Sequence, residues 1–312
     1  MKIEYADGIA SARLKLMGNR FEFTAVHSDK SIATESIIAA IAEVKRIENL
    51  LSTYKQDSQT QLINTYAGIG HVKVDKEVVE LIQRSNRISE LTQGAFDITY
   101  GSIDKSLWNF DKMMTKLPDI AVAKAAVKLI NFKNIIINGD DAVMLKEKGM
   151  RIGFGGIGKG YAAERAKHVM KGLGILDGIV NASGDLCVWG HHPSSKPWIV
   201  GIAHPDNPKD YFSTFPLGDA AVATSGNYEK FVIINGKKYS HTIDPKTGMP
   251  IRGIKSVSII CPNAEFADAL ATPIAVMGIQ AGMYLVNQLQ NVECIIIDDN
   301  NNVYKSKNIN FL

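Results

Sequence analysis

Asp268 and Thr272 stand four residues apart in "EFADALATPIAVMG", residues 265–278. On a helix that spacing sends a carboxylate and a hydroxyl off the same face. Both are hard oxygen donors of the kind Mg²⁺ takes, since this ion prefers a few protein oxygens together with substrate phosphates. A second reading competes. Thr272-Pro273 also has the form of a helix start, threonine as the cap and proline at the first helical position. Proline inside a continuous helix would remove one hydrogen bond and crowd the carbonyl of Ala269. Spacing alone favours the cap.

The run Gly153-Phe154-Gly155-Gly156-Ile157-Gly158-Lys159-Gly160 is the clearest sign of ligand handling. Glycines let a backbone approach a phosphate closely, and a helix opening near Tyr161 would add unpaired N–H groups and a partial positive charge. Lys159 offers a full charge. The run lacks the spacing of a Walker loop and of a dinucleotide fingerprint, so an ordinary strand-to-helix turn is the competing reading. "NASGD" places Ser183, Gly184 and Asp185 at a strand end, and "VATSGN" does the same for Thr224 and Ser225. Small polar loops of this kind face ligands or simply turn. "SHTIDPKTGMP" sets His241 and Thr242 before a turn built on Asp244-Pro245. Histidine is the side chain best suited to proton exchange near neutral pH, although a single one is more often structural. His191-His192 lack metal-ligand spacing and no H-E-x-x-H pattern occurs, so zinc is not expected.

These groups need elements to hold them. Ile37, Ile41, Val44, Ile47 and Leu51 form a helical stripe over residues 31–51. A second helix is expected from Lys76 to Thr92, stopping near Gly94, and a third over residues 119–131. The glycine run should open a fourth, ending at Gly172 or Gly174. Beyond it the chain reads mainly as strands, with Asn235-Gly236 as a hairpin signal, "IKSVSIICP" as a strand and a last hairpin through "DDNNN". A short helix is expected near 280–290. The pattern is α+β, a mixed or antiparallel sheet core with flanking helices. One domain over residues 1–312 is expected, with two closely packed lobes as the variant.

Composition excludes several classes. Hydrophobic residues make up 46% and charged residues 21% of the 312, with a net charge of +3, and basic residues are dispersed among acidic ones. That balance gives no reason to expect nucleic acid. No apolar run nears the roughly 20 residues of a membrane span, and "MKIEYADGIASARLK" lacks a secretory pattern. The expectation is a cytoplasmic chain, or a periplasmic or membrane-anchored one if a signal segment has been removed. Cys187, Cys261 and Cys294 have no C-x-x-C spacing and sit in apolar runs, which points to buried free thiols.

Taken in order, Met17-Gly18, "LSTYKQDSQTQLIN", "GAFDIT", "GGIGKGYAAE", "NASGD", "ATSGNYE", "SHTIDPKTG" and "ADALAT" resemble the FAD:protein FMN transferases, the ApbE-type flavin transferases. The resemblance covers nearly the whole chain and implies the ApbE-like flavin transferase fold. Its implied activity is transfer of FMN from FAD onto a threonine or serine hydroxyl of a target protein carrying an FMN-binding domain, with release of AMP and a need for Mg²⁺. By that resemblance Asp268, Thr272 and the carbonyl of Gly158 match the metal ligands, and the metal reading overtakes the cap. Met17, Tyr54, Ala95, Phe96 and Asp97 match positions lining FAD. Gly155, Gly158, Lys159, Ser183, Gly184, Asp185, Thr224, Ser225 and Thr242 complete the implied cleft. His241 matches a catalytic histidine, with Asp268 as the competing base. Gly158 stands where the family often has alanine, Phe154-Gly155 where many members have an acidic lead-in, and Pro273 where a helix former is usual. Pro273 is expected to kink its helix. Two other activities fit the same residues: a Mg²⁺-dependent FAD pyrophosphatase, and a non-catalytic FAD-binding protein.

Overall fold

The computed structural model describes residues 2–104, 107–108, 114–204, 207–226 and 231–309. The chain opens with three strands, β1 (Ile3–Ala6), β2 (Ile9–Leu16) and β3 (Asn19–Val26). Helix α1 (Lys30–Leu51) follows, its first turn capped by Asp29, which accepts from the N–H of Ser31 and Ile32. Ile37, Ile41, Val44, Ile47 and Leu51 are all buried, as their spacing requires. Next come α2 (Gln59–Thr65), β4 (Val72–Lys73), α3 (Lys76–Leu91) and the short α4 (Ile120–Ala126), which is less extensive than the stretch expected. Strands β5 (Ile135–Asn138) and β6 (Ala142–Leu145) join β4 in a small sheet.

Helix α5 (Gly158–Gly172) starts three residues before Tyr161, so the end of the glycine run is its first turn. The second half alternates β7 (Asp177–Ala182), β8 (Asp185–Trp189), β9 (Trp198–His204), β10 (Asn207–Leu217), β11 (Ala220–Gly226), β12 (Phe231–Ile234), β13 (Lys237–Ser240) and β14 (Ile254–Cys261). It closes with α6 (Ala264–Val286), β15 (Glu293–Asp298) and β16 (Val303–Lys305). The main sheet runs β1-β2-β3-β7-β8-β11-β14-β15-β16, and every described pair in it is antiparallel. The Asn235-Gly236 and Ser183-Gly184 dipeptides close the β12–β13 and β7–β8 hairpins.

Side-chain alternation explains the layering. In β11 and β14, Ala221, Ala223, Val257 and Ile259 face the main core, where α1, α5 and α6 pack. Val222 and Ile260 point the other way, into a second core under the β9–β10 hairpin with Trp198, Val200 and Phe215. Both faces are therefore covered, which is why all eight residues of β14 are buried. The three cysteines are buried and unpaired. Burial pushes the Cys187 thiol up to about 12 and Cys261 up to about 11, leaving them unreactive as thiolates near neutrality.

Helix α6 departs from two expectations. It passes through Pro273 in helical conformation, and its break comes at Gly278 (φ 83°, ψ 169°). It is also long and apolar enough to cross a bilayer by length and composition, with a mean hydropathy of 1.6. Half of that apolar stretch is buried, and the helix packs against α5, β11 and β14, so its apolarity is that of a core element.

Candidate active site

The crossing of α5 over α6 builds the centre of the site. A Cβ on Gly160 would lie 2.1 Å from the carbonyl oxygen of Ala264 and 2.8 Å from Asp268 Cβ, so only glycine lets the helices approach this closely. Glu164 on α5 accepts the N–H of Ala264 at 2.9 Å, and Asn263 accepts that of Phe266 at 2.9 Å, fixing the start of α6. Arg84 on α3 donates to Glu265 at 2.6 Å and holds the same end from the other side.

This crossing delivers Asp268 to the first turn of α5. One carboxylate oxygen accepts the N–H of Gly160 at 2.9 Å, and the other lies 3.4 Å from Lys159 Nζ. Ile157, at the cap position, makes no side-chain cap bond, so Asp268 caps α5 across the tertiary structure, where the helix dipole favours negative charge. Lys159 also pairs with Asp185, which the β7–β8 turn brings in at the start of β8. Asp185 and Asp268 are both buried. Burial and then the Asp268 charge push Asp185 up to about 7, against the pull of Lys159. Burial works against the Lys159 charge, but the two carboxylates outweigh it and hold the ammonium above its ordinary value. Two carboxyl groups thus share one ammonium in a buried cluster.

A cavity of about 890 Å³ lies beside this cluster, within the size range of small-molecule sites. Tyr54, Ala95, Phe96, Asp97, Gly155, Ser225, His241, Thr242 and Thr272 line it. Tyr54 is 94% exposed at the rim, while Phe96 is buried in the wall. The Thr272 hydroxyl donates to Ser225 Oγ at 3.2 Å and sits mid-helix, so it caps nothing. His241 and Thr242 are held by a tight loop: Ile251 donates to the Thr242 carbonyl at 3.0 Å, and Asp244 accepts from Lys246 N–H and Thr247 Oγ1.

Several residues sit differently from the simplest expectation. Lys159 is committed to two carboxylates rather than standing free for a phosphate. The Asp97 carboxylate accepts from Thr99 N–H, Thr99 Oγ1 and Phe132 N–H, so it braces the cavity wall. Burial raises its pKa, partly offset by those bonds. The Thr224 hydroxyl pairs with Ser258 at 2.8 Å. Ser183 and Gly184 form the exposed β7–β8 turn and do not line the cavity. Met17, at φ 49°, packs toward Gly158 instead of lining the cavity. Asn227 to Glu229 of the "ATSGNYE" motif lie outside the described residues.

Sequence reasoning missed Tyr100 and Arg151, which also line the cavity. The Tyr100 hydroxyl accepts the N–H of Ile243 at 3.2 Å, tying the α3 side of the cleft to the His241 loop. Arg151 had a signal, a cation directly before the glycine run. Tyr100 had none, because its partner is 143 residues away.

Among the described residues no group of three His, Cys, Asp or Glu side chains gathers. The donor set is instead oxygen-rich: the buried carboxylates of Asp185 and Asp268, with the Thr272 hydroxyl one turn along α6 from Asp268. That chemistry fits a hard cation such as Mg²⁺.

The chain thus joins an α+β fold to an acid pair at a helix N-terminus, beside an aromatic-rimmed cavity. The ApbE family model matches residues 17–296, and the chain belongs to the ApbE family. An FAD:protein FMN transferase of Klebsiella pneumoniae (strain 342) is 31% identical over 281 residues, 88% of this chain and 80% of that protein. One from Treponema pallidum (strain Nichols) is 29% identical over 87% of this chain and 80% of that protein. The crystal structure of the ApbE protein of Thermotoga maritima matches with a TM-score of 0.83 at 31% identity, covering 95% of this chain and 96% of that one. The Pseudomonas stutzeri flavinyl transferase ApbE matches with a TM-score of 0.83 at 26% identity, covering 98% and 95%. The expected fold class and family are both borne out.

Proposed function

We propose that this chain is a transferase that moves FMN from FAD onto a threonine or serine hydroxyl of an acceptor protein, forming a phosphoester, releasing AMP and requiring Mg²⁺. The observation that carries the reading is the meeting of Asp268 with the N-terminus of α5, one turn along α6 from Thr272, which lines a cavity of nucleotide size. Family membership and the names of the relatives agree with it.

The acceptor oxygen bonds to the FMN-side phosphorus, the bond from that phosphorus to the bridging oxygen breaks, and AMP leaves with the electron pair. His241, exposed on the cavity wall, takes the hydroxyl proton. Tyr54 and Phe96 offer aromatic faces to the ring systems. Glycines 155 and 156 let the backbone approach the diphosphate. Asp268, Thr272 and the Gly158 carbonyl would hold Mg²⁺, with Asp185 adjacent; when bound, the ion offsets the charge that gathers on the phosphate oxygens. Lys159 keeps the two carboxylates close and turned toward each other.

The test is to incubate the protein with FAD, Mg²⁺ and an FMN-acceptor domain, then weigh the acceptor and quantify AMP. A covalent gain of one FMN with equal AMP is expected. AMP and free FMN with an unmodified acceptor would assign an FAD pyrophosphatase, and neither product a binding protein. His241→Ala is expected to slow transfer about 10²- to 10⁴-fold while FAD binding, followed by flavin fluorescence, is kept. An unchanged rate removes His241 from the mechanism.

A further inference from the structure

A second cavity, of about 650 Å³, adjoins the first and shares Asp97 and Pro245 with it. Lys124, Lys128 and Lys246 line it. All three are exposed, and none makes a salt bridge among the described residues. The one carboxylate in the lining, Asp97, already accepts from Thr99 and Phe132. The cavity is thus a concave basic surface, with three ammonium groups set against one carboxylate.

The lysines are held in place. Lys124 and Lys128 project four residues apart from α4 and the turn after it. The Asp244–Gly248 turn that carries Lys246 closes directly onto α4: a Cβ on Gly248 would lie 2.0 Å from the carbonyl oxygen of Ala123. Lys246 Cε also packs over Gly94, at the end of α3. Three segments distant in sequence therefore converge to present one basic patch at the edge of the substrate cleft.

We propose that this surface docks an acidic segment of the acceptor protein, next to the hydroxyl that receives FMN. The inference rests on the transferase reading above, because that reaction requires a protein surface at the rim of the cleft. Charge complementarity selects an acidic partner. Exposed ammonium groups on long stems suit salt-sensitive steering of a macromolecule. The apolar floor, with Val127 and Ile130, suits peptide side chains.

The test uses a fluorescein-labelled decaglutamate peptide, titrated by anisotropy against the full chain and its K124E/K128E/K246E variant. The wild type is expected to bind the peptide, more weakly as salt rises. The triple variant should bind at least about tenfold more weakly, with FAD affinity unchanged. The K124Q/K128Q/K246Q variant, which removes charge without reversing it, should fall between them. In turnover with an acceptor domain the triple variant should show a raised KM for acceptor and an unchanged kcat at saturating FAD. Equal peptide binding by wild type and triple variant overturns the proposal. So does loss of FAD binding in the triple variant, which would give the lysines to the nucleotide. The peptide arm needs no turnover, so it decides the surface separately: a wild type that binds peptide yet transfers no FMN would sink the reaction and leave the basic surface standing.

Discussion

Asp268→Asn is expected to abolish FMN transfer without destabilising the metal-free protein. The loss follows from the charge that Mg²⁺ would offset on the phosphate oxygens, worth several kcal/mol; about 4 kcal/mol corresponds to roughly a thousandfold in rate. Stability should move the other way. Without metal, Lys159 serves two buried carboxylates, and Asp185 is pushed up to about 7 by burial and then by the Asp268 charge. Asparagine keeps an oxygen for the Gly160 N–H and removes the like-charge repulsion. The variant should therefore melt at or above the wild-type temperature in the absence of Mg²⁺. It should also lose whatever rise in melting temperature Mg²⁺ gives the wild type, since a ligand that binds only the native state stabilises it by mass action. AMP release and melting curves with and without Mg²⁺ measure both. Retained transfer, or a retained Mg²⁺ shift, would take Asp268 out of the metal site.

Gly160→Ala is expected to damage both the fold and the site through a single methyl group. It places a Cβ against the backbone carbonyl of Ala264 at 2.1 Å, and a backbone atom cannot rotate away. The α5–α6 crossing must open, at a cost of about 3 kcal/mol, the upper end of ordinary overpacking. Activity falls with it, because the Gly160 N–H that fixes the Asp268 carboxylate moves off. Gly158→Ala, two residues earlier, is the matched control. Its methyl would meet Phe154 Cβ at 3.4 Å, near ordinary contact, and helical alanine gains about 0.5–1 kcal/mol over glycine. Thermal melts should separate the two clearly. If Gly160→Ala melts with the wild type, the helices do not cross at that residue in solution.

Much of the fold was legible because local rules and tertiary packing agree there. The α1 stripe, the α3 end near Gly94 and the Asn235-Gly236 hairpin lie where periodicity and turn chemistry put them. The site was legible in its residue types and less so in their duties. Thr272, His241, Tyr54 and Phe96 line one cleft, with Asp268 one turn from Thr272 on α6, although they are scattered over more than 200 positions. The glycine run read as a single phosphate loop, yet its glycines divide: Gly155 and Gly156 line the cavity, whereas Gly160 is there for the helix crossing. Pro273 read as a helix start because proline costs a hydrogen bond inside a helix. In the folded chain Ala269, Pro273 and Ile274 are all buried in the core, and that packing outweighs the local preference.

The sequence by itself determined the elements, the turn positions and the oxygen-rich chemistry of residues 268–272, since these depend on neighbours within a few positions. Only the tertiary structure decided that Lys159 spends its charge on Asp185 and Asp268, 26 and 109 residues away, and that Thr272 turns its hydroxyl to Ser225, 47 away. It likewise decided that Lys124, Lys128 and Lys246 share one basic surface. The reason is range: pair energies between side chains act over a few ångströms, and which side chains come that close is set by how helices and sheet pack.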